Sequence, residues 1–352
     1  AARRAMDVAL RTARHSADEC GAEPVATGGM RAERAVVLLL VVIGFVQFQP
    51  GEPFLVDFLV SKGFTNHQVA DQIFNLFLYC RLPALLLMGI AAELCGAART
   101  FFLGTFFGIA TTAITVFCTS LLLLQVSQVT VALSDATHTG ALYALLFDLS
   151  SLTSSPSQVH VHWACAVVLL SNCVAGVFGS GARRIFAMSY AGLAAVTLAF
   201  QLLALVGAAV LACAAPHLGL RRARGGQAGG RGIAGRPTGL WADVIRAFSQ
   251  RGVGEWTLWS VVMHTGHLLT TTYWQALLRE KLHRKEDANG FATAVGYFFS
   301  FAILVGTAKT RALGKRENRR CIAAGSLLAG GVLLLLIGVA RTALNVYSAF
   351  VA

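Results

Sequence analysis

Nine ionisable side chains stand inside or at the edges of long apolar runs: Glu52, Arg81, Glu93, Asp135, His138, Asp148, Glu255, His264 and His267. A central Arg or Asp costs roughly 2.5–3.5 kcal/mol on membrane-insertion scales, so such groups face a cavity or a partner. Arg81 is the most informative, because a guanidinium cannot shed its proton to escape that cost. It must meet an acid, water or an anionic ligand; an ion pair with Glu52 or Asp135 and a ligand contact are both open. His138 follows Asp135 by three residues, which puts them on one helix face. A histidine there could bind substrate, carry a proton or hydrogen-bond a neighbour. His264 and His267 also share a face, but no third ligand follows at metal-site spacing, so no metal is expected. There is no P-loop, G-x-S-x-G, HExxH or Rossmann fingerprint, so nothing supports an enzyme and no cofactor is implied.

The elements that must carry these residues are membrane helices. Of 352 residues, 56% are hydrophobic and 13% charged, against about 25% charged in ordinary soluble domains. The apolar residues come in blocks of the ~20 residues a helix needs to cross hydrocarbon. The blocks run over 35–49, 72–93, 100–126, 129–149, 161–180, 185–214, 256–278, 290–308 and 321–341. The expected fold is therefore all-α, a polytopic membrane helix bundle of about nine spans with the lipid bilayer as its solvent. On these blocks Glu52 falls at the outer end of the first span, Arg81 near the middle of the second, and Glu93 at the inner end of the second.

The net charge of +12 is not a nucleic-acid signal, because most basic residues fall between spans, where they orient a membrane protein. Arg31 and Arg34 precede span one and Arg99 follows span two. Arg221 to Arg251 fill the connection after span six, and Lys309 to Arg320 the one after span eight. All lie on one side if the N-terminus is cytoplasmic; two connections disagree, the mixed-sign one at 279–290, which weighs little, and the one with Arg183 and Arg184 between spans five and six, which is a real exception. The chain divides into a tail (1–34), a six-helix bundle (35–214), a basic Gly- and Arg-rich cytoplasmic linker (215–254) and the start of a second bundle (255–352). The paired glycines Gly104 and Gly108, like Gly176 and Gly179, mark faces where a neighbouring helix approaches closely. The cysteines lack any CxxC spacing, and seven of the eight lie in or beside apolar blocks, the pattern of small buried hydrophobes.

The stretch "FQPGEPFLVDFLVSKGFTNHQVADQIFNLFLYCRLPALLLMGIAAEL" (48–94) resembles the first two spans of the reduced folate carrier and thiamine transporter family. The matching features are Pro50, Glu52, Pro53 and Phe54, then Phe64, Thr65, Gln68 and Val69, then Glu93. A second stretch, "WTLWSVVMHTGHLLTTTYWQALLREK" (256–281), is similar to that family's seventh span, and Asn289 and Gly290 to the opening of its eighth. The resemblance implies a major facilitator fold of twelve spans, here present to about nine. It also implies uptake of a small-molecule vitamin by alternating access, in a multi-pass protein of the plasma membrane. It makes Glu52 a substrate-binding residue and Glu93 a gating or structural ion-pair partner at the cytoplasmic end. Folate carriers place an arginine on span four and thiamine transporters a glutamate. His138 stands near that place here, and Arg81 is the residue left to supply a positive charge. The expected substrate-binding set is Glu52, Arg81, Asp135 and His138, with folate slightly preferred over thiamine.

Overall fold

The structure is a computed structural model that describes residues 26–153, 156–216, 252–282 and 289–308, together with 218, 245, 248 and 249. The described residues with regular structure are helical. The first span is α1 (Ala26–Gln47), a 3-10 turn (Glu52–Phe54) and the short α2 (Leu55–Ser61). The second begins with a π-helical stretch (Gln68–Phe74) and continues as α3 (Asn75–Cys95). Then come α4 (Ala97–Phe117), α5 (Leu121–Ser151), α6 (Ser157–Phe186), α7 (Tyr190–Ala214), α8 (Val253–Leu282) and α9 (Asn289–Ala308). Six of these spans are long and apolar enough to cross a membrane by length and composition alone. The helices α5 and α8 are as long, at 31 and 30 residues, but their polar residues dilute their hydropathy. The ninth apolar block, 321–341, and most of the basic linker lie outside the described residues.

Two boundaries differ from the hydropathy reading. The first span does not stop at residue 49. Pro50, Gly51 and Pro53 break the helix, and α2 then carries the span on to Ser61. Glu52 consequently lies within the span and not at its outer end. The break costs the α-helical ladder because Pro53 has no N–H to donate and its ring crowds the turn before it. Spans three and four meet at residues 118–120, inside the block read as 100–126. The sequence Cys-Thr-Ser there contains neither Gly nor Pro, so nothing in composition marks the turn.

The core of the first bundle is aliphatic and close-packed. Leu39, Val42 and Ile43 of α1, Phe101 of α4, Leu145, Leu146 and Leu149 of α5 and Ala204 and Ala208 of α7 form one buried cluster. Small residues set the helix spacing elsewhere. A Cβ on Gly104 would run into Thr137 of α5, and one on Gly108 would meet Ser134 at 3.0 Å. Where α9 joins the bundle, Gly176 of α6 and Gly290 of α9 each face the other's carbonyl, so side chains are excluded there.

Span two starts on a reciprocal cap. The Thr65 N–H donates to Gln68 Oε1 at 2.9 Å, and the Gln68 N–H donates to Thr65 Oγ1 at 3.1 Å. The pair satisfies orphan donors at the helix start, and it sets Val69, wholly buried, into a second cluster with Val56, Leu59, Ile73 and Leu124. At the same end of the bundle Lys62 donates to the carbonyls of Thr115, Val116 and Cys118 at 2.5, 2.8 and 2.9 Å. It thereby caps the C-terminus of α4, where a cation meets the negative end of the helix dipole. Burial pulls the Lys62 pKa below the ordinary lysine value.

The basic pair that disagreed with the others in orienting the chain has local employment. Arg183 donates to the Met188 carbonyl at 3.0 Å and its guanidinium lies 3.9 Å from the Tyr190 ring centroid. Arg184 sits 5.3 Å from the ring of Phe291 on α9. Both belong to the last turn of α6, where cations are favoured.

Candidate functional site

The polar groups at the middle of the bundle come from spans one, two and four. Arg81 on α3 is 7% exposed, and its Nη2 lies 2.9 Å from Asp135 Oδ2 on α5. Its guanidinium also rests 5.7 Å from the centroid of Phe77, one turn earlier on the same helix. Of the two ion pairs open from the sequence, the structure forms the one with Asp135. Closeness of α3 and α5 is set by the buried residues Ala84, Met88, Ala132 and Ala136, whose small or flexible side chains let the helices approach.

Glu52 is exposed although protein atoms surround its carboxylate closely. It sits at the break of span one, beside Pro53 and Phe54, both buried. It is near enough to Asp135 and to Tyr297 of α9 to feel or impose charge on them. A carboxylate at this depth that still meets solvent faces an opening between helices. The wall behind it is closed: Gly179 of α6 presses on the Pro50 carbonyl and the Phe54 ring, the latter 3.1 Å from where a Cβ would be.

The freed backbone groups at the break are met from other helices, as lipid surroundings require. The Gly51 N–H reaches Thr197 Oγ1 of α7 at 3.4 Å. Within the 3-10 turn the Leu55 N–H takes the Glu52 carbonyl. That leaves the Val56 N–H, which donates to Gln275 Oε1 of α8 at 3.3 Å, while Gln275 Nε2 donates to the Glu52 carbonyl at 3.0 Å. Three more contacts bind α8 to this end. Arg279 pairs with Asp57 of α2, the Tyr273 hydroxyl donates to Asn75, and Asn66 Nδ2 donates to the Ala276 carbonyl at 3.2 Å.

Of the residues expected to bind, Glu52, Arg81 and Asp135 come together. His138 shares the Asp135 face of α5 but is turned to the core: its ring packs edge-on against Phe101, 5.5 Å between centroids, and its Nε2 has no hydrogen-bond partner. Glu93 is exposed at the end of α3, and no ion pair to it forms among the described residues. Asp148 lies on α5 more than three turns from Asp135, apart from the cluster. His264 and His267 lie on α8; their side chains fall outside the described residues. Sequence reasoning missed Asp57, Arg279 and Gln275. Asp57 was hidden by the early end given to span one and Arg279 by the end of the seventh block at 278, where the helix runs on to Leu282, and Gln275 carries no charge to draw attention in a Trp- and Tyr-rich helix.

A guanidinium held by a carboxylate, with a second carboxylate near that acid, can exchange ion-pair partners with a charged group.

The fold and the sequence have known relatives. The solved structure of a bacterial homolog of the human lysosomal transporter Spinster, inward-facing and unoccupied, superposes with a TM-score of 0.55 at 14% identity, covering 94% of this chain and 72% of that one. The likeness gives the fold, that of the major facilitator transporters. A folate-like transporter of Dictyostelium discoideum is 25% identical over 293 residues, which are 82% of this chain and 48% of the relative. The chain thus spans about half the length of the curated relative it matches. The family model for the reduced folate carrier matches residues 33–225 and 233–352. The family model thus matches most of the chain: the chain belongs to the reduced folate carrier family.

Proposed function

We propose that the protein is a secondary transporter that takes up a water-soluble vitamin, folate in preference to thiamine, by alternating access. The observation that carries this reading is the Arg81–Asp135 pair set beside Glu52 at mid-bundle. A substrate carboxylate takes Arg81 from Asp135 through two parallel hydrogen bonds, and Glu52 receives an amine or ring N–H of the same molecule. The name of the Dictyostelium relative, a folate-like transporter, agrees with an anionic substrate. The N-terminus is cytoplasmic and the membrane is the plasma membrane. The end with Lys62 then faces outward, and α8 closes that end.

A second reading rests on charge count. Two carboxylates, Glu52 and Asp135, lie near each other and share one guanidinium, which pairs with Asp135, a balance that a cation such as thiamine prefers. Uptake of labelled folate and labelled thiamine, side by side, separates the two. The complete coding sequence is expressed in cells lacking their own carriers. Folate uptake that is lost in Arg81→Ala at equal surface expression establishes the anion reading. Folate uptake intact in Arg81→Ala removes Arg81 from the site. Thiamine uptake lost in Glu52→Gln moves the role to the carboxylates.

A further inference from the structure

The amide of Gln275 occupies the place of a missing helical hydrogen bond. In an uninterrupted α-helix the Val56 N–H would donate to the Glu52 carbonyl, four residues back. In the 3-10 turn that carbonyl already serves Leu55, and Val56 is left over. Gln275 answers both groups at once, accepting from Val56 at 3.3 Å and donating to the second lone pair of the Glu52 carbonyl at 3.0 Å. The side chain is 9% exposed, so water does not compete for these bonds. It comes from α8, the first helix after the linker, and therefore from the other half of the molecule.

We propose that Gln275 is a positioning residue that ties the aim of the Glu52 carboxylate to the docking of α8. While α8 is docked, the amide holds span one broken and Glu52 faces the opening between helices. When α8 withdraws, Val56 and Glu52 have each other as helical partners and the turn closes. Changing three residues from 120° to 100° per residue turns the chain by about 60°. Such a rotation moves a side chain from an opening into a helix interface. The break is then a two-state element that senses whether the halves are closed at the Lys62 end. Asp57–Arg279, Tyr273–Asn75 and Asn66–Ala276 bind α8 to the same end. Gln275 differs from them in touching the backbone of Glu52 itself. The proposal rests on the transport reading of the site, and its test separates the two.

Gln275→Leu keeps the side-chain volume and removes both bonds. Ala276, 4% exposed on α8, is replaced by cysteine as a reporter, read with a membrane-impermeant maleimide as labelling above that of the parent chain. With Gln275 in place the reporter is protected. With leucine there its labelling rate rises at least about fivefold as the docked state is weakened. In parallel, initial rates of labelled folate and thiamine uptake are measured for Gln275→Leu, Glu52→Gln and the double variant. Because Gln275 acts through Glu52, the double variant falls no further than about twofold below Glu52→Gln. The fold-losses of the two single variants multiplying in the double variant would overturn the coupling. Unchanged labelling in Gln275→Leu, with uptake by the parent intact, overturns the clip and leaves the transporter standing. Raised labelling with neither vitamin moved by any form upholds the clip and sinks the substrate reading.

Discussion

Arg81 and Asp135 show how a membrane interior handles a charge it cannot neutralise. Arg81 is buried against Phe77 and paired at 2.9 Å, so each member is tolerable because the other is present. Removing one partner of a buried pair costs about 3–5 kcal/mol, whereas replacing both by apolar groups of like volume is near neutral. Arg81→Met is therefore expected to lower the melting temperature of the detergent-solubilised protein sharply, and Arg81→Met with Asp135→Leu to recover most of the loss. A double variant as unstable as the single one would mean that the pair contributes little. The identities of these residues could be read from sequence, since any ionisable group in an apolar block must have a reason. Which acid Arg81 meets could not, because Glu52 and Asp135 lie on different helices and spacing says nothing about their approach. The inward turn of His138 was equally illegible: three residues from Asp135 is about 60° around the helix, enough to face Phe101 instead of the opening.

At the scale of elements, the break in span one is the lesson. Pro-Gly-Glu-Pro reads as a terminus by every local rule, and a hydropathy window sees Glu52 and Asp57 as an exit from lipid. Only the partners supplied by α7 and α8 let the chain continue through the membrane, and they lie more than a hundred residues away in sequence. The eight described spans themselves were legible as apolar blocks, with boundaries off by as much as three turns, at the end of span one. Two caps depend on named residues. Lys62→Met leaves three carbonyls at the end of α4 without their donor, and at about 0.5–1.5 kcal/mol net per bond the expected loss is roughly 1.5–4.5 kcal/mol, read as a lower melting temperature. A valine at Gly176 has no space beside the Gly290 carbonyl. Gly176→Val should cost about 1–3 kcal/mol as the helices are forced apart, and a cysteine pair across α6 and α9 would cross-link more slowly.

Over the whole molecule, the sides of the bundle are covered by large apolar side chains such as Leu202, Leu203, Val206 and Val210 on α7, of which Val206 is 64% exposed. In water this surface would be an aggregation hazard; in lipid it is the complement of the acyl chains. Arginine at Val206 should reduce the share of chain that resists alkaline extraction from membranes, since a lipid-facing charge costs roughly 2.5–3.5 kcal/mol on insertion scales. The same change at a solvent-facing loop position should have no such effect. Only the count of charges made this surface legible in advance; the orientation of each face came from packing.

The contact between Gly176 and Gly290 has a mechanical meaning. Two helices that touch backbone to backbone share no interdigitated side chains at that point, so relative tilt there meets little resistance from shape. Phe291, held through its N–H by Ser180 Oγ at 3.1 Å, pins the same spot against sliding. The start of α9 is thus a hinge pin, and its far end at Ala308 lies about 27 Å away at 1.5 Å per residue. A tilt of about 5° at the pin swings that end by roughly 2 Å, a leverage fixed by the placing of two missing methyl groups.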